Sequence, residues 1–154
     1  MYVASTFTLA VACAGARPAK EGAADASVAG AEPAPATPKT FVEQVALGQA
    51  AYAKNCAKCH GASGEGTDAP RVVGLNAGAL PLDPPAGAKF RTTQFKTVMD
   101  AAEFVVANMP PNQAGTLSTE EYFSVLAFDL KANGIDLGEK KLDAALAKTL
   151  VIPR

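Results

Sequence analysis

Five consecutive residues, Cys56-Ala57-Lys58-Cys59-His60, put two thiols three positions apart and an imidazole directly behind them. On one turn of chain such thiols can reach the two vinyl groups along one edge of a porphyrin, while the imidazole offers a nitrogen to the iron. The spacing reads as an attachment site for c-type haem, with Cys56 and Cys59 as the thioether residues and His60 as the proximal ligand. Two other chemistries use a Cys pair spaced in this way. A structural zinc site needs four ligands, and the chain holds only three cysteines and one histidine, so Cys13 alone remains to complete a set. A thioredoxin-like redox pair belongs in a βαβ setting, whereas this sequence offers helices and loops.

An iron held by one imidazole takes a sixth ligand or stays open. The methionines are Met1, Met99 and Met109. Met109 stands before Pro110-Pro111, which cannot continue a helix and would hold a thioether on an extended loop. Met99 lies in Val98-Met99-Asp100, a helix approach where Met is more often a core filler. Met109 is therefore the expected distal ligand. Were it not a ligand, the open iron would bind a gas or peroxide, as in a sensor or an enzyme. Peroxidase chemistry would then lack a second histidine to act as distal acid or base.

These residues need elements to position them. Phe41, Val45, Leu47 and Tyr52 mark a helix running toward Cys56. Residues 61 to 89, rich in Gly, Ala and Pro, read as a long ordered loop. Asp100 followed by Glu103 reads as the start of a second helix that Pro110-Pro111 must stop. Ser118-Thr119-Glu120-Glu121 is a capping box opening a helix that carries Tyr122, Val125, Leu126 and Leu130, with Gly134 at its end. Leu142, Leu146 and Leu150, at four-residue spacing, predict a last helix packed on the outside of the domain.

The front of the chain has a different character. Residues 1 to 13 are uncharged and largely apolar and look like an export signal, although no Lys or Arg precedes Arg17. Small residues before Cys13 resemble the cleavage box of bacterial lipoproteins, with Ala10 where Leu is usual. Two readings of Cys13 stand side by side: a lipidated first residue that attaches the protein to a membrane, or a thiol in a discarded signal. Residues 14 to 40, mostly Ala, Pro, Gly and small polar residues, cannot bury enough apolar area to offset ordering and read as a flexible linker. The domain proper is expected over residues 41 to 154. With 14 basic and 15 acidic residues and a formal charge of -1, nothing forms the basic stripe that nucleic acid needs. No apolar run reaches the roughly 18 residues of a spanning helix.

Over about residues 41 to 134 the sequence resembles the class I cytochrome c family, and the resemblance extends beyond the haem motif. Gly48, Tyr52 and Cys56 lie at four-residue intervals, and in that family a Gly and an aromatic at these places meet the C-terminal helix. The helix bearing Leu126 and Phe128 is the implied partner, with Gly48 letting two backbones approach closely. His60-Gly61, Ala69-Pro70 and Gly74 resemble the family's loop after the haem motif, which implies that the Pro70 carbonyl accepts the imidazole N–H. Asn108-Met109-Pro110 is similar to the distal loop. The chain has no Trp to bond a haem propionate, so Arg71, Lys89 or Arg91 stand as alternatives, though each such residue is more often a solvated charge. Leu75, Phe90, Phe95, Phe104 and Val105 are candidates to bury the macrocycle.

Together these readings predict an all-α fold around one covalent haem c, whose iron cycles between ferrous and ferric. The protein is expected to be an electron carrier or a docked subunit of a larger oxidoreductase, exchanging electrons with redox partner proteins. Its expected place is the bacterial periplasm, free or held at a membrane.

Overall fold

A computed structural model describes residues 37–77, 79, 82–84, 86–87 and 91–153, so Cys13, Lys89 and Phe90 lie outside the described residues. Within them the architecture is all-α: α1 (Phe41–Asn55), α2 (Ala57–His60), α3 (Val98–Asn108), α4 (Thr119–Ala132) and α5 (Ala144–Thr149), with a 3-10 turn at Leu75–Ala77. Among the described residues the one β feature is an isolated antiparallel bridge between Thr97 and Val151. No helix there is long and apolar enough to cross a membrane.

Helix α1 begins where Thr40 accepts the Glu43 amide while the Glu43 carboxylate takes the Thr40 and Lys39 amides, a reciprocal cap. Its buried face is Phe41, Gln44, Gly48, Ala51 and Tyr52. Val45 and Leu47, which also mark this helix in the sequence, are half-buried, Val45 against the main core. A Cβ built on Gly48 would stand 1.8 Å from the Ser124 carbonyl oxygen, so α1 and α4 meet backbone to backbone at this point. One helix turn on, Tyr52 and Phe128 pack with ring centroids 5.0 Å apart.

Helix α4 opens on the Ser118 and Glu121 capping box and closes at Gly134. There the Ile135 amide reaches the Leu130 carbonyl and the Gly134 amide reaches that of Lys131, with Gly134 in the left-handed region at φ 84°. Tyr122, Ser124, Val125, Leu126, Ala127, Asp129 and Leu130 are all buried, so this helix is covered on most sides.

Two expected elements take different bounds. Helix α3 starts at Val98: Thr97 is the N-cap, and Asp100 is its third residue, whose carboxylate closes the box on Thr97. Glu103, expected to help mark the start, is an exposed mid-helix residue. The last helix is short. Asp143 caps it, Leu142 precedes it and Leu150 follows it, so the four-residue leucine spacing spans more than a helix. This segment belongs to the core, and the expected outside position is corrected: Leu142, Ala147 and Ile152 are at most 3% exposed, in one cluster with Phe41, Phe95, Val98, Leu126 and Leu130. Its ordering is polar as well as apolar. The Gln44 side chain donates to the Leu142 carbonyl (2.9 Å) and accepts its amide (2.8 Å), and the Ile152 amide bonds the Lys96 carbonyl (3.0 Å).

Candidate functional site

The Cys56 amide still bonds back to Tyr52, but its own backbone (φ -121°, ψ -38°) leaves the α1 path. The chain then makes one new turn, α2, in which the Cys59 and His60 amides both reach the Cys56 carbonyl, at 3.1 and 3.0 Å. That turn carries Cys59 and His60 directly after Cys56. The two cysteines are half-buried and not joined to each other. Burial, and then the nearby Asp129 charge, push the Cys56 thiol up to about 11. A redox-active dithiol sits in a βαβ setting with a depressed thiol pKa at its nucleophile, whereas here helices flank the pair and the Cys56 thiol is pushed the other way, which does not fit the thioredoxin-like reading. Among the described residues no three or more His, Cys, Asp or Glu cluster as metal ligands, and Cys13, which a zinc site would need, lies outside them.

The loop after α2 wraps back on the motif. The Cys59 carbonyl accepts the Thr67 hydroxyl (2.7 Å) and the Ala69 amide (2.9 Å), and the His60 carbonyl accepts the Gly66 amide (2.7 Å). This fold brings the Pro70 carbonyl oxygen to 2.7 Å from His60 Nδ1. A carbonyl has no proton to give, so Nδ1 carries it and Nε2 is the bare nitrogen. Tyr52 donates to the Gly61 carbonyl (2.9 Å), tying the loop to α1. Gly61 itself sits at φ 86°, with the Glu65 carboxyl where a Cβ would go. Asn133, at the end of α4, ties the far side: Nδ2 donates to the Val72 carbonyl (2.9 Å) and Oδ1 accepts the Gly74 amide (2.8 Å).

Met109 stands on a separate segment. It caps α3, with its amide on the Val105 carbonyl (2.8 Å) and its backbone extended (φ -123°, ψ 145°). Its carbonyl accepts the Tyr122 hydroxyl at 2.8 Å, and that hydroxyl in turn accepts the Gly115 amide at 2.9 Å. Tyr122 was expected only as an apolar residue of α4; its fixing of the distal segment has no sequence signature. Met99 lies in the first turn of α3 and packs against the main core.

The basic candidates separate. Arg71 is half-buried near Gly74. Arg91 is no solvated charge: it is buried, its guanidinium stands 4.1 Å over the Phe95 ring, Nη2 donates to the Asp83 carbonyl, and Nε is buried without a partner. Phe95 in turn packs on Phe104, with ring centroids 5.5 Å apart. Leu75 and Val105 are half-buried.

This donor set suits an iron porphyrin. Two unpaired thiols share one turn, and the adjacent imidazole already has its Nδ1 proton engaged, which leaves Nε2 free for a metal. The family model described as cytochrome c oxidase, cbb3-type, subunit III matches residues 43–128. A chain of the crystal structure of the sulfane dehydrogenase SoxCD from Paracoccus pantotrophus is similar, with 28% identity and a TM-score of 0.53 over 77% of this chain. The match covers 61% of that chain, so this protein spans about three fifths of its length. No curated protein matches the sequence. Because the family match takes in more than half of the sequence, including the motif and most of α1 and α4, the chain belongs to this family of c-type cytochromes: it is an electron-transfer protein that carries covalently bound haem c with its iron.

Proposed function

We propose that Cys56 and Cys59 hold the haem through thioethers, that His60 Nε2 and the Met109 sulfur are its axial ligands, and that the protein works after export. The observation that carries this reading is the bond between His60 Nδ1 and the Pro70 carbonyl, beside two unpaired thiols. The bound iron supplies one-electron exchange between ferric and ferrous states. The polypeptide sets the terms of that exchange. Pro70 keeps the imidazole proton on Nδ1, fixes the ring and raises the basicity of Nε2. Thr67 and Ala69 hold the turn that presents it. Tyr122 anchors the backbone of Met109, whose soft thioether favours the reduced state relative to a second imidazole.

Export follows from residues 1 to 13 and lipidation from Cys13, both outside the described residues. The working place is then the bacterial periplasm or a membrane surface, and the partners are redox proteins. Similarity to a chain of a dehydrogenase structure favours service inside an oxidoreductase over a free shuttle.

Two measurements test the site. After denaturation and acid-organic extraction, haem is expected to stay with the polypeptide in the wild type and to be poorly retained in Cys59→Ser. Met109→Ala is expected to keep its haem, lose the near-red band of thioether-ligated ferric iron, bind carbon monoxide when reduced and show a lower potential. If Met99→Ala does this instead, Met99 is the ligand. Rapid carbon monoxide binding by the wild type would make the iron open and favour a sensor.

A further inference from the structure

Asp129 is a buried carboxylate that the site described so far does not use. It lies on α4 between Phe128, which packs on Tyr52, and Leu130 of the main core. It is 8% exposed, and its Oδ1 meets no hydrogen-bond donor. A charged oxygen left unpaired in such a place is strongly disfavoured.

Among the described residues no basic side chain pairs with it. From α1 the groups that sense its charge are the Tyr52 phenol, already donating to Gly61, and the Cys56 sulfur. From the loop after the haem motif Glu65 adds a second negative charge near Tyr52; backbone amides, its own and that of Ser63 first, and then the Arg71 charge on the same loop hold that carboxyl below its usual range. On α4 itself, Lys131 pairs with Asp136. Burial alone pushes its carboxyl up to about 8.

We propose that Asp129 takes up a proton when the haem beside Cys56 takes up an electron, so that this cytochrome couples the two. The proposal rests on the reading that Cys56 carries the haem. An electron arriving from a donor protein removes one positive charge from the site, which raises the proton affinity of a nearby carboxyl. Asp129 then changes from carboxylate to carboxylic acid with one proton from solvent. When the electron leaves to an acceptor protein, the same proton returns to solvent. Across the interval between the carboxyl's pKa in the ferric and ferrous proteins, the potential therefore falls as pH rises.

The test is a spectroelectrochemical titration of the holoprotein across pH, wild type against Asp129→Asn. The wild-type potential is expected to decline with pH in the region around 8, and the variant to be flat there. Redox-difference infrared spectra of the wild type should gain a protonated-carboxyl band on reduction, shifted in heavy water and missing in the variant. If Asp129→Asn fails to load haem, Asp129→Leu takes its place in both the potential titration and the infrared comparison. A pH-independent wild-type potential, or the same slope in both proteins, overturns the proposal. Haem that extracts from the wild type overturns the attachment reading and this proposal with it. Covalent haem with a flat profile overturns this proposal alone.

Discussion

Residues 56–74 and residues 108–117 each carry one candidate axial ligand, and the chain holds the two segments by different means. The first is bound along its whole length: the carbonyls of Cys59, His60, Gly61, Gly64 and Val72 all accept bonds from the loop, α1 or the end of α4. The second has turn bonds of its own, from the Gln113 amide to the Pro110 carbonyl and from Thr116 to the Gln113 carbonyl, and is tied to the helices by the end of α3 and by Tyr122, which links Met109 to Gly115. Its next residues, 111 to 116, are exposed. Metal centres need rigid first ligands to hold the cofactor, whereas a second ligand can sit on a softer segment and still tune the iron. Disturbance of the first segment should cost folding and haem capture together. Disturbance of the second should change the redox centre and leave the haem in place.

The largest expected effect comes from the crossing that supports the first segment. In Gly48→Ala the new methyl meets the Ser124 carbonyl at 1.8 Å, and neither backbone can yield without parting α1 from α4. A loss of about 3 kcal/mol or more is expected, at the upper end for overpacking. Chemical denaturation and the yield of haem-loaded protein would measure it; a wild-type midpoint would show that the helices do not meet so closely.

Next comes Asn133→Ala, which removes the donor to the Val72 carbonyl and the acceptor of the Gly74 amide at once. A cost of about 2 to 3 kcal/mol is expected, since each half-buried bond contributes about 1 kcal/mol. Amide hydrogen exchange in residues 64–74 should quicken while residues 108–117 remain unchanged. Equal quickening in both would mean that the two segments are one mechanical unit.

Tyr122→Phe acts on the second segment alone. It deletes the link between Met109 and Gly115 and is expected to cost about 1 kcal/mol, because exposed neighbours regain water. Haem retention should not change. The near-red thioether band should disappear at a lower alkaline pH than in the wild type; an unchanged band would assign the rigidity of the distal segment to its prolines.

The last effect is electrostatic and is read in the pH dependence of stability. Backbone amides hold the capping carboxylates Glu43, Asp100 and Glu121 below their ordinary values. Their contribution is present above the unfolded carboxyl pKa and is lost as pH falls through the folded values. Asp129 has the opposite sign: its proton affinity is raised by folding, so its contribution is present in acid and lost as pH rises toward about 8. In Asp129→Leu the decline of stability between the ordinary carboxyl range and about pH 8 should flatten, while the acid limb set by the capping carboxylates persists. A decline that survives in this variant would have to come from another group.

Much of this arrangement was legible in local sequence. The Ser118 and Glu121 box opens α4 and Gly134 closes it, because caps are formed by residues adjacent in the chain. The start of α3 differs from the expectation for an equally local reason: Thr97 pairs with Asp100 in the same kind of box, so Asp100 is the third residue of the helix and the threonine before it is the cap. The leucine spacing over residues 142–150 suggested a helix on the surface, since periodicity reports one apolar face and says nothing of what covers it. The segment is drawn into the core by Gln44, which lies far away in sequence.

The sequence by itself determined the chemistry of one turn, the two thiols and the imidazole of Cys56 to His60, because covalent spacing along a chain does not depend on the rest of the molecule. It also determined where the long helices begin and end, to within a few residues. Only the tertiary structure decided which polar groups lose water. Arg91 could have been a solvated charge and is buried on Phe95; Asp129 could have been an ordinary acid on a helix surface and is sealed between α1 and its own core neighbours. Tyr122 could have been core packing and instead holds the Met109 backbone. Burial depends on which surfaces distant segments present to each other, and hydration, proton affinity and hydrogen bonding follow from it.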